Sequence, residues 1–190
     1  TVDAPVAFTV IVQGAGYLTT SAKVSISSAS GQAADIQLVA LTTDSSGNLT
    51  HTQPGVEGTV KVLGTVAGGQ VATVMSLSSP DVEDSSGNTV GGAGLSIPAG
   101  TTLRTATGAA AANGPVTASV VSFSSSSPTA LQAFPGGFAV TVGGSGPGTG
   151  TGVFTSGGFA AFNLTDAQGN AIKSFDSPIT ATIALSDTLI

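Results

Sequence analysis

Apolar and polar residues alternate with a period of two along most of the chain, as in Phe8-Thr9-Val10-Ile11-Val12. Because successive side chains of a strand point to opposite faces, this alternation is typical of strands with one buried face. It predicts further strands over residues 22–27, 35–41, 58–66, 71–77, 94–97, 115–123, 137–142, 159–164 and 179–185. Only residues 106–112 have a helix-like composition, and the glycines there predict a loop instead. We therefore expect an all-β antiparallel sandwich, Ig-like or jelly-roll-like, built as one large unit or two packed small ones.

A change in composition near Ser79-Pro80 suggests where two units would divide. Before it lie five closely spaced predicted strands, and after it the connections are longer and richer in glycine. The longest of these, residues 143–151, lacks the lysine and the strand-to-helix context of a phosphate-binding loop. The predicted division is an Ig-like unit over residues 1–79 and a second sandwich unit over 80–190.

Three five-residue segments, 44–48, 84–88 and 166–170, share Asp at the first position, Gly at the fourth and Asn at the fifth. An Asp side chain accepts hydrogen bonds from nearby backbone N–H groups, and Gly supplies the positive φ of a tight hairpin. Calcium is the alternative interpretation, but it needs six to eight oxygen ligands and each segment offers one carboxylate. The pattern favours turns. The acidic cluster of Asp81, Glu83 and Asp84 keeps a weak cation site as an alternative.

Charged residues make up only 7% of the chain, against about 25% in a typical soluble domain. The 10 acidic and 4 basic residues give a net charge of −6. A protein that binds the nucleic-acid backbone needs a basic stripe, so this function is excluded. There is no cysteine and no apolar run long enough to span a membrane. The sequence starts at Thr1, and with the Ser/Thr/Gly-rich surface this predicts an extracellular, cell-surface protein whose signal peptide has been removed.

Two stretches are similar to known cell-surface modules. The strand at Phe8–Val12, followed by Gly16-Tyr17 and a further strand, resembles carboxypeptidase-regulatory-like and related Ig-like modules. The motifs Ile97-Pro98-Ala99-Gly100-Thr101, Phe134-Pro135-Gly136-Gly137 and Ser177-Pro178-Ile179-Thr180 resemble repeated modules of large bacterial and archaeal surface proteins, with a distant likeness to extracellular segments of cartilage intermediate layer proteins. The charged residues that commonly follow the motif Ile97-Pro98-Ala99-Gly100-Thr101 in those modules are missing here. The resemblance implies a surface β-sandwich and brings no catalytic residues.

The residues for common enzyme chemistry are scarce. His51 is the single histidine, no nucleophile elbow is found, and a zinc site of nitrogen and sulfur ligands has too few candidates. The two glutamates, Glu57 and Glu83, stand apart, and the sequence has no Trp and one Tyr to line a sugar-binding cleft. We therefore expect no enzyme and no cofactor. Tyr17 alone could stack on a glycan, and a residue at the rim of the core is the alternative.

Two further features concern single positions. Phe159 and Phe162 are three residues apart, so in a strand they face opposite sides, and one must leave the main core or meet a second surface.

Asn48 and Asn163 each begin an N-x-T glycosylation sequon. Asn48 in a turn is the better acceptor, whereas Asn163 falls in a predicted strand.

The functional prediction follows from strand edges. Soluble sandwiches protect their edges with charged residues or proline, and most strands of this chain have no charge. We expect a structural subunit of a surface fibre or surface layer that self-associates through strand edges. A monomeric adhesin or glycan-binding module is the alternative. The terminal segments 2–12 and 179–190 are the candidate donated strands, and the first places these residues on one face: Val2, Val6, Phe8, Val10 and Val12.

Overall fold

The computed structural model describes residues 6–26, 36–50, 52–84, 86–124, 127–134, 139–142, 150–153 and 158–184. These residues form one short helix, α1 (Pro128–Ala133), and fifteen strands. In chain order the strands are β1 (Val6–Val12), β2 (Thr20–Ile26), β3 (Val56–Ala67), β4 (Gln70–Val71), β5 (Met75–Ser78), β6 (Val82–Glu83), β7 (Thr89–Gly91), β8 (Ala93–Ile97), β9 (Leu103–Thr105), β10 (Gly114–Phe123), β11 (Ala139–Val142), β12 (Gly150–Val153), β13 (Phe159–Thr165), β14 (Ile172–Phe175) and β15 (Thr180–Ile183). All the pairings are antiparallel, and the predicted all-β, sandwich-like fold class is confirmed.

The central sheet has the order β13-β10-β3-β4. Strand β10 lies in its middle, where Val120 pairs with Phe162 on one side and with Thr59 on the other. A register shift at Val116/Thr117 lets the long strands β3 and β10 bend. From Ala118 to Phe123 every residue of β10 is buried, so both faces of this strand are covered.

The first face of the central sheet carries the larger core. Val116, Ala118 and Val120 of β10 and Leu164 of β13 pack there against Met75, Leu77, Leu95, Ile97, Leu103 and Ile172. The covering residues come largely from the three-stranded sheet β15-β8-β5 and the pair β14-β9. This is the two-layer part of the fold, in which alternate residues of each strand face inward.

The opposite face carries a second core. Val121 and Phe123 of β10, with Val56 of β3, pack against two groups of residues. Helix α1 contributes Ala130 and Ala133, and irregular segments earlier in the chain contribute Leu18, Val39 and Leu49. The Phe134 ring meets Phe123 edge-on at 5.4 Å and lies 5.3 Å from Phe159. Such aromatic pairs add to the burial energy.

These two cores account for the phenylalanines of β13. Phe159 packs against the core that contains Phe123, and Phe162 packs against the core that contains Val120. The prediction that they face opposite sides is confirmed, and each side has a core to receive its ring.

Strand pairing crosses the division predicted near residue 80. Strand β3 pairs with β10, and β5 pairs with β8, so sheets join residues from both sides of Ser79-Pro80. The larger core likewise combines Met75 and Leu77 with Leu95 and Ile97. The units 1–79 and 80–190 therefore share sheets and a core, because the apolar faces of β3 and β5 are covered by later strands.

Two of the predicted strands differ from the structure, whereas the predicted loop over 106–112 agrees with it. A strand was expected over residues 35–41, but over the described part of this range, 36–41, the structure has only an isolated bridge between Tyr17 and Ala40. The expected strand over 71–77 is divided between β4 and β5, with Ala72 and Thr73 in a bend between them. The loop predicted over 106–112 is confirmed.

The three Asp-Gly-Asn turns share one geometry. In each, the Oδ1 atom of the aspartate accepts hydrogen bonds at 2.8–3.0 Å from the backbone N–H groups two and four residues later. The donors are Ser46 and Asn48 for Asp44, Ser86 and Asn88 for Asp84, and Gln168 and Asn170 for Asp166. The fourth residue is a glycine at φ 87°, 81° and 81° respectively, for Gly47, Gly87 and Gly169. The turn prediction is confirmed at all three positions.

A fourth turn, over residues 105–109, has the same backbone hydrogen bonds with threonine in place of aspartate. Thr105 N–H donates to the Ala109 carbonyl at 2.9 Å, and Gly108 has φ 82°. Its Thr105 hydroxyl lies 2.9 Å from that of Thr107. The sequence did not reveal this turn because the aspartate that marks the others is absent.

Candidate assembly surface

Strands β1 and β2 form a hairpin whose connecting loop contributes Leu18 to the core around Phe123. Phe8 pairs with Val24 and Val10 pairs with Ala22, so the even-numbered residues of β1 share one face. No described residue of β1 or β2 belongs to either core cluster. On β1, Phe8 is 43% exposed on the even face and Ile11 is 62% exposed on the odd face. The hairpin thus presents apolar side chains to solvent on both faces.

The candidate donated strand is therefore one half of a hairpin. Its members Val10 and Val12 are half-buried, Val6 begins β1, and Val2 lies outside the described residues. Strand β1 pairs with β2 along one edge, and among the described residues no third strand joins this sheet. Strand β1 contains no charged residue, so no charge within it opposes the approach of another strand to its second edge.

A groove of about 740 Å³ runs beside strand β13. On one side it is lined by the loop after β1, with Leu18, and by Phe134. The strand itself supplies Ala160, Ala161 and Phe162, followed by the polar Asn163 and Thr165. The groove is thus apolar along the first part of the strand and polar along its end.

Strand β13 is an edge strand of the central sheet as far as the described residues show. At its end, Thr165 bridges to Ala171, because the turn at Asp166 folds the chain back there. Over residues 160–164, no backbone partner on the outer edge is found in the part of the chain that the structure describes. Lys173 lines the groove near the Ala171 end and is its one charged lining residue. An edge strand and a partly apolar groove therefore occur together.

Strand β15 is a second uncharged edge of a different kind. All four of its residues are exposed, and it pairs with β8 on one side. A smaller depression of about 350 Å³ lies on this sheet, lined largely by polar side chains of β5, β8 and β15. The cross-strand register places Ser76, Ser96 and Thr180 in one row there. Next to this row, β15 also exposes the apolar Ala181 and Ile183.

The acidic cluster is distributed over a short hairpin. Glu83 lies in β6, and Asp81 precedes that strand; both side chains are exposed. Asp84 uses its two oxygens within its own turn, where Asn88 Nδ2 donates to Oδ2 at 3.1 Å. These hydrogen bonds lower the pKa of Asp84. In the described ranges, no group of three or more His, Cys, Asp or Glu side chains is arranged to hold a metal ion.

The remaining predicted site residues lie apart from one another. Tyr17 is exposed beside the bridge to Ala40. Asn48 accepts a bond from the buried Thr59 hydroxyl at 3.1 Å, so its side-chain oxygen is used within the fold. Asn163 lies in β13 opposite Ser119 and lines the groove.

Of the residues considered for enzyme chemistry, His51 lies outside the described residues. Glu57 is on β3, where burial raises the pKa of its carboxyl.

Comparisons with protein-family models, with curated proteins and with solved structures find no match to this chain. Among the described residues, no helix is both long and apolar enough to cross a membrane.

The groove beside β13 could not be predicted from the sequence, because its walls come from segments far apart in the chain. The signal that could have revealed the edge is the uncharged run Phe159-Ala160-Ala161-Phe162.

Proposed function

We propose that this protein is an extracellular structural subunit that self-associates through strand edges into a surface fibre or layer. The observation that carries the proposal is the β1–β2 hairpin, which exposes apolar side chains and whose strands belong to neither core. The low charge of the chain, 7%, supports it, because few edges are protected.

The energetics of the hairpin support a partner. An isolated two-stranded hairpin is marginally stable in water and needs a third strand or a packed face. Within one copy, the even face of β1 is only partly covered, since Phe8 remains 43% exposed. A neighbouring subunit would pair with the second edge of β1 and bury its exposed apolar side chains, Phe8 on the even face and Ile11 on the odd face. Main-chain hydrogen bonds would then give affinity, and the side-chain pockets would give specificity.

The test is the size of the intact chain in solution as a function of concentration, followed by sedimentation velocity and electron microscopy. Ordered polymers or defined oligomers are expected. Ile11→Lys should weaken association at least tenfold, because a charge would stand at 62% exposure on the hairpin. The matched control is Val74→Lys, at a residue 63% exposed but outside the hairpin, which should associate like the wild type.

A chain that stays monomeric at every concentration contradicts this proposal. In that case a monomeric adhesin or glycan-binding module gains. The second outcome that counts against it is equal weakening by Ile11→Lys and Val74→Lys, since this would indicate non-specific hydrophobic aggregation.

A further inference from the structure

We propose that strand β1 pairs with strand β1 of a second copy of this chain, antiparallel and about a two-fold axis at Thr9. This inference rests on the self-association proposed above and names the two strands that meet. The contact joins two hairpins into one four-stranded sheet with the order β2-β1-β1-β2. In each copy the second edge of β1 supplies the contact, because β2 occupies the first.

The second edge of β1 is unpaired among the described residues. The seven residues of the strand form a ladder with β2, and no other backbone hydrogen bond or bridge involves them in that part of the chain. Charged residues and proline are what protect a strand edge. Strand β1 contains neither, whereas the sequence of β2 includes Lys23. Of the two edges of the hairpin, β1 is therefore the less protected.

The sequence of β1 matches itself in this register. With Thr9 opposite Thr9, the first residue of the strand is opposite the last, so all seven residues are paired. Phe8 of each copy is then opposite Val10 of the other. Directly opposite residues of an antiparallel pair point to the same face, so these four apolar side chains form one row across the contact. Centring the contact one residue earlier or later leaves two residues of each strand unpaired.

The side chains that this contact covers are exposed in a single copy. Phe8 is 43% exposed on the even face of β1, and Ile11 is 62% exposed on the odd face. On the odd face Thr9 stands next to its own counterpart, and pairs of threonines hydrogen-bond across strands. Ile11 lies diagonally across from the same Thr9, within reach of a long side chain. One pairing therefore adds contacts on both faces of β1.

A second copy suits this edge because each hairpin gains what it supplies. A two-stranded hairpin is marginally stable, and three or more strands with an apolar face are needed for independent stability. One contact gives both hairpins their missing third strand. It also keeps like charges apart, because Lys23 is on β2 and the two β2 strands are three strand spacings, or about 14 Å, apart. That distance exceeds the Debye length of about 8 Å at physiological ionic strength.

The size of the contact predicts its strength. A standard interface has about 20–30 residues a side, whereas this contact has seven, so it belongs with the small interfaces that form weak complexes. We therefore expect a reversible dimer. A two-fold contact closes after two copies, so the fibre or layer proposed above requires a second contact elsewhere on the chain. The dimer joined through β1 is then its repeating unit.

Disulfide trapping tests the contact, because the chain has no cysteine. In a two-fold pairing one residue stands opposite itself, so a single variant cross-links with its own kind. Thr9→Cys should form a covalent dimer under mild oxidation, since directly opposite Cα atoms are about 4.5–5.5 Å apart. Phe8→Cys and Val10→Cys should link slowly alone and readily with each other. The control Thr182→Cys, at an exposed residue of β15, should link slowly.

Charges at the centre of the contact give a second readout without a disulfide. Thr9→Lys alone and Thr9→Glu alone each place like charges opposite each other. Each should weaken self-association about two- to fivefold, the range of a cross-strand pair. A mixture of the two variants places opposite charges across the axis and should recover this loss. The same two changes at Thr182 are the control, and neither they nor their mixture should alter association.

The outcomes separate the two proposals. If the wild-type chain is monomeric at every concentration, both fail. If it associates, but Thr9→Cys does not link with itself and mixing the charge variants recovers nothing, β1 pairs with a different strand. The pairing proposed here is then wrong and self-association stands. If Phe8→Cys or Val10→Cys links with itself in place of Thr9→Cys, the axis assigned to Thr9 is wrong.

Discussion

The second carboxylate oxygen of Asp166, Oδ2, accepts a hydrogen bond at 3.0 Å from the backbone N–H of Ala112, 54 residues earlier in the chain. The same side chain shapes its own turn through Oδ1, with bonds from Gln168 and Asn170. Asp166 thereby ties the end of β13 to the segment that leads into β10. Among the hydrogen bonds of the described residues, it is the one turn aspartate of the three whose carboxylate reaches a distant segment.

Replacing this side chain should therefore cost more than replacing its equivalents. Asp166→Ala leaves the part-buried N–H of Ala112 without its acceptor, and an unsatisfied donor costs about 1–3 kcal/mol when it is shielded from water. We expect the variant to lose that much more free energy of unfolding than Asp44→Ala, which removes bonds within one exposed turn. Urea unfolding of both variants measures the difference. Equal losses would mean that the bond to Ala112 contributes nothing.

The stability of the protein should fall in acid. The backbone N–H of Ala112 and the other donors lower the pKa of Asp166 from 3.8 to about 2. A lowered pKa in the folded state means that the unfolded state binds protons more readily. The stabilisation is thus fully present well above pH 3.8 and is lost as the pH falls towards 2. Hydrogen bonds also lower the pKa values of Asp84 and Asp176, so they contribute in the same direction.

Unfolding free energies measured between pH 5 and pH 2 give the check. The wild type should lose stability more steeply than Asp166→Asn, which has no proton to take up at this position. Parallel curves for the two proteins would show that Asp166 does not titrate differently in the folded and unfolded states.

Gly58 should tolerate no side chain. A Cβ at this position would lie 2.8 Å from Leu49 Cδ1 and 2.8 Å from the Val120 carbonyl oxygen. Because one of these contacts is backbone, the strands must shift, and Gly58→Ala should cost about 1–3 kcal/mol. At Gly14 a Cβ meets only the Tyr17 ring, at 3.6 Å, so Gly14→Ala is the control and should change stability little. Thermal unfolding of the two variants decides between them.

The position of each phenylalanine predicts its contribution. Phe123 is fully buried, so Phe123→Ala should cost about 3–5 kcal/mol through lost contacts and a cavity. Phe8→Ala should leave the unfolding free energy of the monomer almost unchanged, since no core contains it. Chemical denaturation at a concentration below that of self-association measures both. A large loss for Phe8→Ala would place β1 in the core of its own subunit.

Removal of residues 1–12 should separate folding from assembly. None of the described residues among them lies in a core, so we expect a stability loss under about 1 kcal/mol, or about 2–4 °C in Tm. Ordered assembly should be abolished. Calorimetry and sedimentation on the truncated chain measure the two effects. A truncated chain that still forms the same polymers would exclude β1 as the donor.

Features set by adjacent residues could be predicted from the sequence, and features set by distant ones could not. The turns at Asp44, Asp84 and Asp166 were predicted because donors, acceptor and glycine lie within five residues. The alternation of β1 likewise predicted that Phe8 and Val10 share a face. The second core was missed, although the apolar residues at successive positions 120–121 of β10 are typical of a strand covered on both sides.

The strand predicted over 35–41, and not found over its described part, 36–41, has a similar cause. Val39 and Leu41 alternate as in a strand, yet both pack against the core around Phe123. The segment runs extended, with Leu18 N–H donating to Val39 and Leu41 N–H donating to Gly16. The alternation of apolar residues correctly predicted that Val39 and Leu41 face the core. A strand also needs a hydrogen-bonded neighbouring strand, and alternation does not specify one.

The two cores on opposite faces of β10 should unfold together, because they share this strand. Val120 and Val121 are adjacent in the chain, and each is fully buried in a different core. Loss of either core would strip one face of the strand on which the other is built. Amide protons along β10 should therefore exchange with deuterium only through global opening, whereas those of the β1–β2 hairpin exchange through local fraying. In a polymer joined by that hairpin, a break would fall at the joints and leave each subunit's body intact.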